Sequence, residues 1–581
     1  MKHFRIPSFT GIQAHRDDAD RGALRIAEGC VPAGPGGLRS APVFIDVGDV
    51  TSFSPDSNNY LTGSDDVDNN SVMFSSRDGE VKDIRVFPQS NTKLGALGAT
   101  YDVAVPGGGA TLYPDRVACM SSVGNNTVAW GDGSAEAVFT GLGGRVVAPD
   151  EIIYHLEYAR FPNCRYFVVG PRKTLYAAGN PAAPLTVYVS EPADMVATHR
   201  DALYSDKTFS TVQILMADGH EITALSGGRD HVVVHTDGGA HLLKAPAPNQ
   251  ASTGYRVEQA PLTAASASVN HQVVAGELGS FPFWLGFDGQ IYKDESGTRG
   301  PDAKDAYADP DQVSWMAKGR WDKEMPVDLS DSFATYNSEL GYYIVYVKNT
   351  EYEAWVAAGS PADWSPPSKY KGYIYSELAK SLSGPFVHNN VTAITSIKNT
   401  SEILAVDRDM NILHADLDHF RDYDFAASGD PWPDTSVQPA GQYIAATEDG
   451  AFLYRGKYLT SPFAEPQTGT TVLTDPMYFE NANLAIMETA WMPLGDENSD
   501  KQIHSVTLNF SNNSVGRVWA YVESDDGLVS GQYKGTITPK MKVFTNIRGV
   551  RFRVRMFVAS SESHPWNLRE MVIGYLQGEA V

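Results

Sequence analysis

Val232-Val233-Val234-His235-Thr236-Asp237-Gly238-Gly239-Ala240-His241-Leu242-Leu243 is the stretch whose reading decides the fold. Two apolar runs flank an Asp-Gly pair. Such a pair is a strong local signal for a β-hairpin, because the tight turn needs a residue at positive φ. The unit recurs on both sides. Upstream, Val72-Met73-Phe74 meets Asp78-Gly79, Thr127 to Trp130 meets Asp132-Gly133, and Leu175-Tyr176-Ala177 meets Gly179-Asn180-Pro181. Downstream, Phe283-Trp284-Leu285 meets Asp288-Gly289 and Tyr343 to Val347 ends at Lys348-Asn349. Ile403 to Val406 then turns at Arg408-Asp409, and Tyr443-Ile444-Ala445 meets Asp449-Gly450.

The spacing carries more weight than any single turn. The turns fall near residues 79, 133, 180, 238, 289, 349, 409 and 450, separated by 41 to 60 residues. A repeat of roughly 40–60 residues with an inner hairpin is the pattern of β-propeller blades. One blade cannot bury both of its faces, so blades stack around an axis. The expected fold is therefore all-β: a β-propeller of seven or eight blades with a C-terminal β-sandwich-like domain. The competing reading is a string of unrelated sandwich hairpins or a mixed solenoid.

The chain has 581 residues, enough for two or three domains. With 42 % hydrophobic and 20 % charged residues, it can build a large core. The 52 glycines and 34 prolines suit short strands joined by turns. Residues 1–40 read as an extended, turn-rich arm, 41–460 as the propeller with insertions, and 461–581 as a C-terminal β domain. Helical patterning is scarce. Asp150 to Arg160 and Tyr375 to Ser383 each suit a turn or two of helix, and Thr298 to Lys323 reads as a partly helical excursion. In the C-terminal unit Arg551, Arg553 and Arg555 alternate with Phe552, Val554 and Met556, giving one arginine face and one apolar face. An edge strand shielded by charge is the expectation, with an acidic partner surface as the alternative.

Chemistry-bearing motifs are few. Gly107-Gly108-Gly109 lacks the Gly-Lys-Ser of a phosphate loop, and no nucleophile elbow or His-Glu-x-x-His occurs. His231 and His235 share a strand face, with His241 and His220 near, but no carboxylate spacing supports a metal site. Asp407-x-Asp409-x-Asn411 opens like a calcium loop, yet Ile412 stands where glycine is needed and Asp418 where glutamate is needed. Asp65-Asp66-x-Asp68 reads as an exposed loop. Ser75 to Gly79 and Ser524 to Gly527 match sialidase Asp-boxes only in part. Cys30, Cys119 and Cys164 fit no zinc spacing and read as reduced, buried thiols. The expectation is no catalytic residue, no cofactor and no metal. No secretory signal is expected after Met1, and no apolar run approaches the ~20 residues of a membrane span. The formal charge of −24 argues against tight binding to a phosphate backbone.

Several stretches together resemble the tail tube (nozzle) proteins of short-tailed bacteriophages. They are Glu28-Gly29-Cys30-Val31 with Gly36-Gly37-Leu38-Arg39, then Asp218 to Leu225 with the hairpin at Gly238, then Phe283 to Tyr292, and the turn Glu523 to Gly527. The chain departs from the family pattern in ending its first motif with Ala41-Pro42-Val43. The resemblance implies a non-enzymatic virion tail component, assembled in host cytoplasm. It implies a homohexameric ring or tube below the portal and adaptor proteins, with tail fibres or spikes nearby. Double-stranded DNA would pass through the lumen without specific binding, and an acidic wall would let it slide. The alternative is a carbohydrate-active propeller, a lectin or glycoside hydrolase, for which 10 tryptophans and 28 tyrosines offer platforms.

Overall fold

A computed structural model describes chiefly residues 2–9, 23–41, 164–189, 210–244, 281–294, 311–360, 369–417 and 483–577, with short gaps inside these spans. It also gives the backbone of shorter strands between 45 and 153, at 256–262, and between 444 and 459. These residues form antiparallel sheets almost throughout.

The deciding stretch is a hairpin. His231–Thr236 pairs with Gly239–Lys244, and Ile222–Gly227 and Arg256–Leu262 flank them in a four-stranded sheet. Positive φ falls on Gly239, at 143°, one residue later than the Asp-Gly pair suggests. Thr236 explains the shift: its hydroxyl donates to the Gly239 carbonyl at 2.6 Å and accepts from the Gly238 N–H at 3.3 Å. At Asp288-Gly289 the expectation holds directly, with Gly289 at φ 77°. There the Gly289 N–H reaches the Gly286 carbonyl at 2.9 Å. The turn residues 78–79, 132–133, 408–409 and 449–450 lie outside the described residues, although the strands flanking each of them are paired.

The turn expected at Lys348-Asn349 is replaced by a helix, Thr350–Ala357. Asn349 starts it: its side chain accepts the Glu351 N–H at 3.1 Å, satisfying a donor the helix cannot satisfy itself. The reverse correction applies to 375–383. Tyr370–Ser376 and Ser381–Phe386 are paired strands joined by a turn with Lys380 at φ 49°, so no helix forms. Tyr373 and Tyr375 pack on one face and Tyr370 and Ile374 on the other, a period of two that a helix could not satisfy. Of the other two segments, Asp150 to Arg160 holds the strand Glu151–Ile153, while Thr298 to Lys323 holds both a short strand, Asp311–Gln312, and a helical turn at Trp321-Asp322, closed by the Met325 N–H on the Trp321 carbonyl at 3.0 Å, so the partly helical reading holds there.

Successive sheets lie side by side through their first strands. Asn59–Gly63 lies against Cys119–Gly124, that strand against Tyr166–Gly170, and that one against Ile222–Gly227. The next sheet, Phe283–Leu285 with Ile291–Lys293, is clamped on both sides: Phe283 stacks on Tyr336 and Tyr343, and Trp284 meets His235 edge-on. Phe333–Asn337 then lies against Val391–Ser396, which returns to Asn59–Gly63. The sheet of Val391–Ser396, Glu402–Asp407 and Asn411–Asp416 takes its fourth strand, Ile45–Asp49, from far upstream.

The C-terminal strands form two facing layers around one core. Lys501–Phe510 lies between Lys540–Gly549 and Asn567–Gln577 in one layer. Phe552–Ser560 lies between Asn483–Thr489 and Arg517–Ser524 in the other. Val506, Leu508, Val543 and Ile573 of the first layer pack with Val518, Val522, Val554 and Val558 of the second. Burial alternates strictly along Lys540–Gly549, the signature of one wet and one dry face.

Residues 1–40 enter these layers. Lys2–Ile6 and Gly37–Ser40 both pair with Asn567–Gln577. Leu24–Glu28 pairs with Asn483–Thr489 on one side and with Ser381–Phe386 through Ala27 and Gly384 on the other. One nine-stranded sheet thus runs from Phe333–Asn337 across the arm strand to Val529–Thr536.

Candidate functional site

Two clusters concentrate the polar side chains that carry chemistry. The first lies where the 222–262 sheet meets the 283–312 sheet. His231 and His235 do share a face, as their spacing requires, and the neighbouring sheet occupies it. The His231 Nε2 meets the Asp294 carboxylate, both buried. His235 Nε2 meets the Ser226 hydroxyl at 2.5 Å, and its Nδ1 accepts the Ala267 N–H at 3.1 Å. His241 faces the other way, buried, and neither ring nitrogen has a hydrogen-bond partner. His220, at the rim, pairs with Asp237 at 2.8 Å. The four histidines therefore answer to four different surroundings. Among the described residues, no group of three or more His, Cys, Asp or Glu side chains is placed to hold a metal ion.

The second cluster is the arginine face. Phe552–Ser560 is a central strand, which corrects the edge-strand expectation. Its arginines meet carboxylates supplied by its own neighbours. Glu488, with a side chain 2 % exposed, receives Arg553 at 2.9 Å and also Arg555. Glu523 receives Arg553 from the opposite strand. Arg25 of the arm lies 4.0 Å from Glu488, and Arg553 stacks over the Trp491 ring at 4.9 Å. The register dictates this: Glu488 stands across from Arg555, and Glu523 across from Arg553. Asp525 secures the adjoining turn by accepting the Val550 and Arg551 N–H groups at 3.0 and 3.2 Å.

The arm motif is also structural. Gly36 sits at φ 103°, and a Cβ there would lie 2.8 Å from Ser8 Cβ. Only glycine fits that approach without strain. Arg39, buried, donates to the Tyr342 hydroxyl at 3.2 Å, and Tyr342 donates to the Pro32 carbonyl at 2.8 Å. Buried Lys293 bridges its sheet to Glu377 at 2.6 Å. Sequence reasoning did not single out Glu488, Asp294 or Glu377, because each acquires a role only through a partner distant in sequence.

Asp65, Asp66, Asp68, Gly107, Gly108, Gly109, Asp409 and Asp418 lie outside the described residues, as do residues 77–79 of the first partial Asp-box. Cys30 and Cys164 are buried thiols, and burial pushes the Cys164 thiol up. No described helix is long and apolar enough to cross a membrane.

No family model matches the chain, and no curated protein matches it. Solved structures similar to it include the extracellular domain of BT4673 from B. thetaiotaomicron, at 11 % identity over 75 % of this chain and 47 % of that one, TM-score 0.33. The chain thus spans about half the length of that protein. The WD40 domain of Neurospora crassa Pan2 matches at 9 % identity over 64 % of this chain and 95 % of that one, TM-score 0.32. The β-propeller domain of Myceliophteria thermophila Cps50 (Swd1) matches at 9 % identity over 65 % and 98 %, TM-score 0.33.

Proposed function

We propose that the chain is a structural component of the tail tube (nozzle) of a short-tailed bacteriophage. In this reading it is built on a seven-bladed β-propeller and assembles as a ring or tube through which the genome leaves. The observation that carries the fold part is the closed succession of sheets. Seven sheets follow one another back to the first, and Ile45–Asp49 completes the last of them. Joining early and late strands in one blade is a way to close a circle without an exposed edge. The eighth hairpin, near 450, belongs to a separate three-stranded sheet.

The side chains support a wall rather than a reaction. The buried His231–Asp294 pair joins one sheet to the next, the arginine cluster ties neighbouring strands of a single sheet, and the ion pairs of both are satisfied internally. The net charge of −24 suits a channel that must not hold DNA. Electron microscopy of the concentrated protein and of purified tails tests the reading. Ring-shaped particles with a central channel, six subunits around, are the expected result. Tails lacking the protein, or a hydrolytic activity on glycans, would defeat it.

A further inference from the structure

We propose that the Thr350–Ala357 helix of one copy docks on the outer face of the Lys540–Gly549 strand of a second copy. The inference rests on the ring reading and names the contact that would build it.

The helix buries none of its residues. Eight residues are too few to hold a helix on propensity alone, and within its own chain this one is only part-covered, as at Tyr352 and Trp355. Tyr352, Trp355 and Val356 stand at i, i+3 and i+4, which places them on one side. The two rings are 5.8 Å apart, and Val356 is 48 % exposed. Glu351 and Glu353 flank this stripe, and the eight residues contain no cation.

The sheet face is its complement. Lys540, Lys542, Phe544 and Arg548 all point outward along one strand that carries no acidic residue. The Lys542 ammonium lies 5.1 Å over the Phe544 ring, and Phe544 is still 57 % exposed. Across the sheet, Leu576 is 44 % exposed, and Arg5 lies in the same cross-strand row as Lys542. One carboxylate stands there, Glu570, 3.9 Å from Arg5.

A second copy is the occupant that the charges favour. Two chains of −24 repel each other, so they approach only where a local patch reverses the sign. Here a cationic, aromatic face meets an anionic, aromatic helix with apolar anchors, the arrangement of helix-in-groove recognition. The two surfaces differ, so the contact is head-to-tail, and head-to-tail contacts generate rings when the rotation closes.

Sedimentation velocity on the full chain tests this with Lys540→Glu/Lys542→Glu and Glu351→Lys/Glu353→Lys. The wild type should self-associate, more weakly at high salt. Each double variant alone should associate about tenfold more weakly or worse, because like charges then face each other. An equimolar mixture of the two should recover association, since each surface finds its complement on the other variant. All substituted residues are exposed, so unfolding midpoints should stay near wild type. Trp355→Ala gives an independent variant, with association weakened and salt dependence retained. Variants that assemble as the wild type does, or a mixture that fails to recover, overturn the contact. Rings that persist in the reversed variants would sink the contact and leave the ring reading standing. A wild type that stays monomeric, while intact tails still show the protein as a ring, overturns the contact as well.

Discussion

Glu488 shows how one residue can hold several segments. Its buried carboxylate accepts two arginines of the neighbouring strand and lies near a third from the arm. Removing it takes from Arg553 and Arg555, whose side chains are only 16 % and 14 % exposed, the carboxylate that both face. Glu488→Ala should therefore cost about 3–5 kcal/mol of stability, read from urea unfolding. Glu488→Met combined with Arg555→Met should recover much of that loss, because the cost lies in the uncompensated charge. His241 makes a prediction about pH. Burial holds its imidazole below its ordinary value of 6.5, since a buried cation gives up its hydration. The unfolded chain takes up that proton as pH falls through about 6.5, and the folded chain resists it. Stability is thus fully present above that pH and declines below it. Thermal unfolding at pH 7.5 and 5.5 should show the decline, and His241→Phe should reduce it.

At the scale of elements, what could be read in the sequence was what is local. The hairpins at 237–239 and 288–289 announce themselves because turn chemistry and the flanking alternation lie within ten residues. The Thr350–Ala357 helix escaped because Lys348-Asn349 carries a turn-like pair, while its real role is to cap a helix. The arginine strand was half legible. Its two faces follow from alternation, but its central position depends on strands some thirty to seventy residues away, which spacing does not reveal. For the same reason Asp294, the buried partner of His231, and the Ala267 N–H that meets His235 were invisible. The arm strand Leu24–Glu28 carries the clearest element-scale prediction. Ala27 is paired on both sides. Ala27→Pro places a ring in a central strand and should cost about 3 kcal/mol or more. Hydrogen exchange should quicken at 381–386 and 483–489 together, and quickening on one side alone would count against the shared sheet.

For the whole molecule, the decisive pairings join residues early in the chain to residues late in it. Composition and hairpin spacing implied a β protein of repeated units, and the antiparallel sheets agree. They did not imply that the first forty residues serve the last hundred, because no local signal says which sheet an isolated strand will join. The ring-forming role proposed above needs both ends fixed, and the structure supplies such pairings at Lys2–Ile6, Leu24–Glu28 and Ile45–Asp49.

That last strand sets a timetable for birth on the ribosome. Ile45–Asp49 leaves the exit tunnel early, yet its partner Asn411–Asp416 lies several hundred residues downstream. At roughly 5–20 residues per second, tens of seconds pass before the two can meet. During that interval the strand offers unpaired amides to any passing chain. A cell crowded with nascent copies is therefore where mispairing between chains would begin, and slower translation would lengthen the exposure.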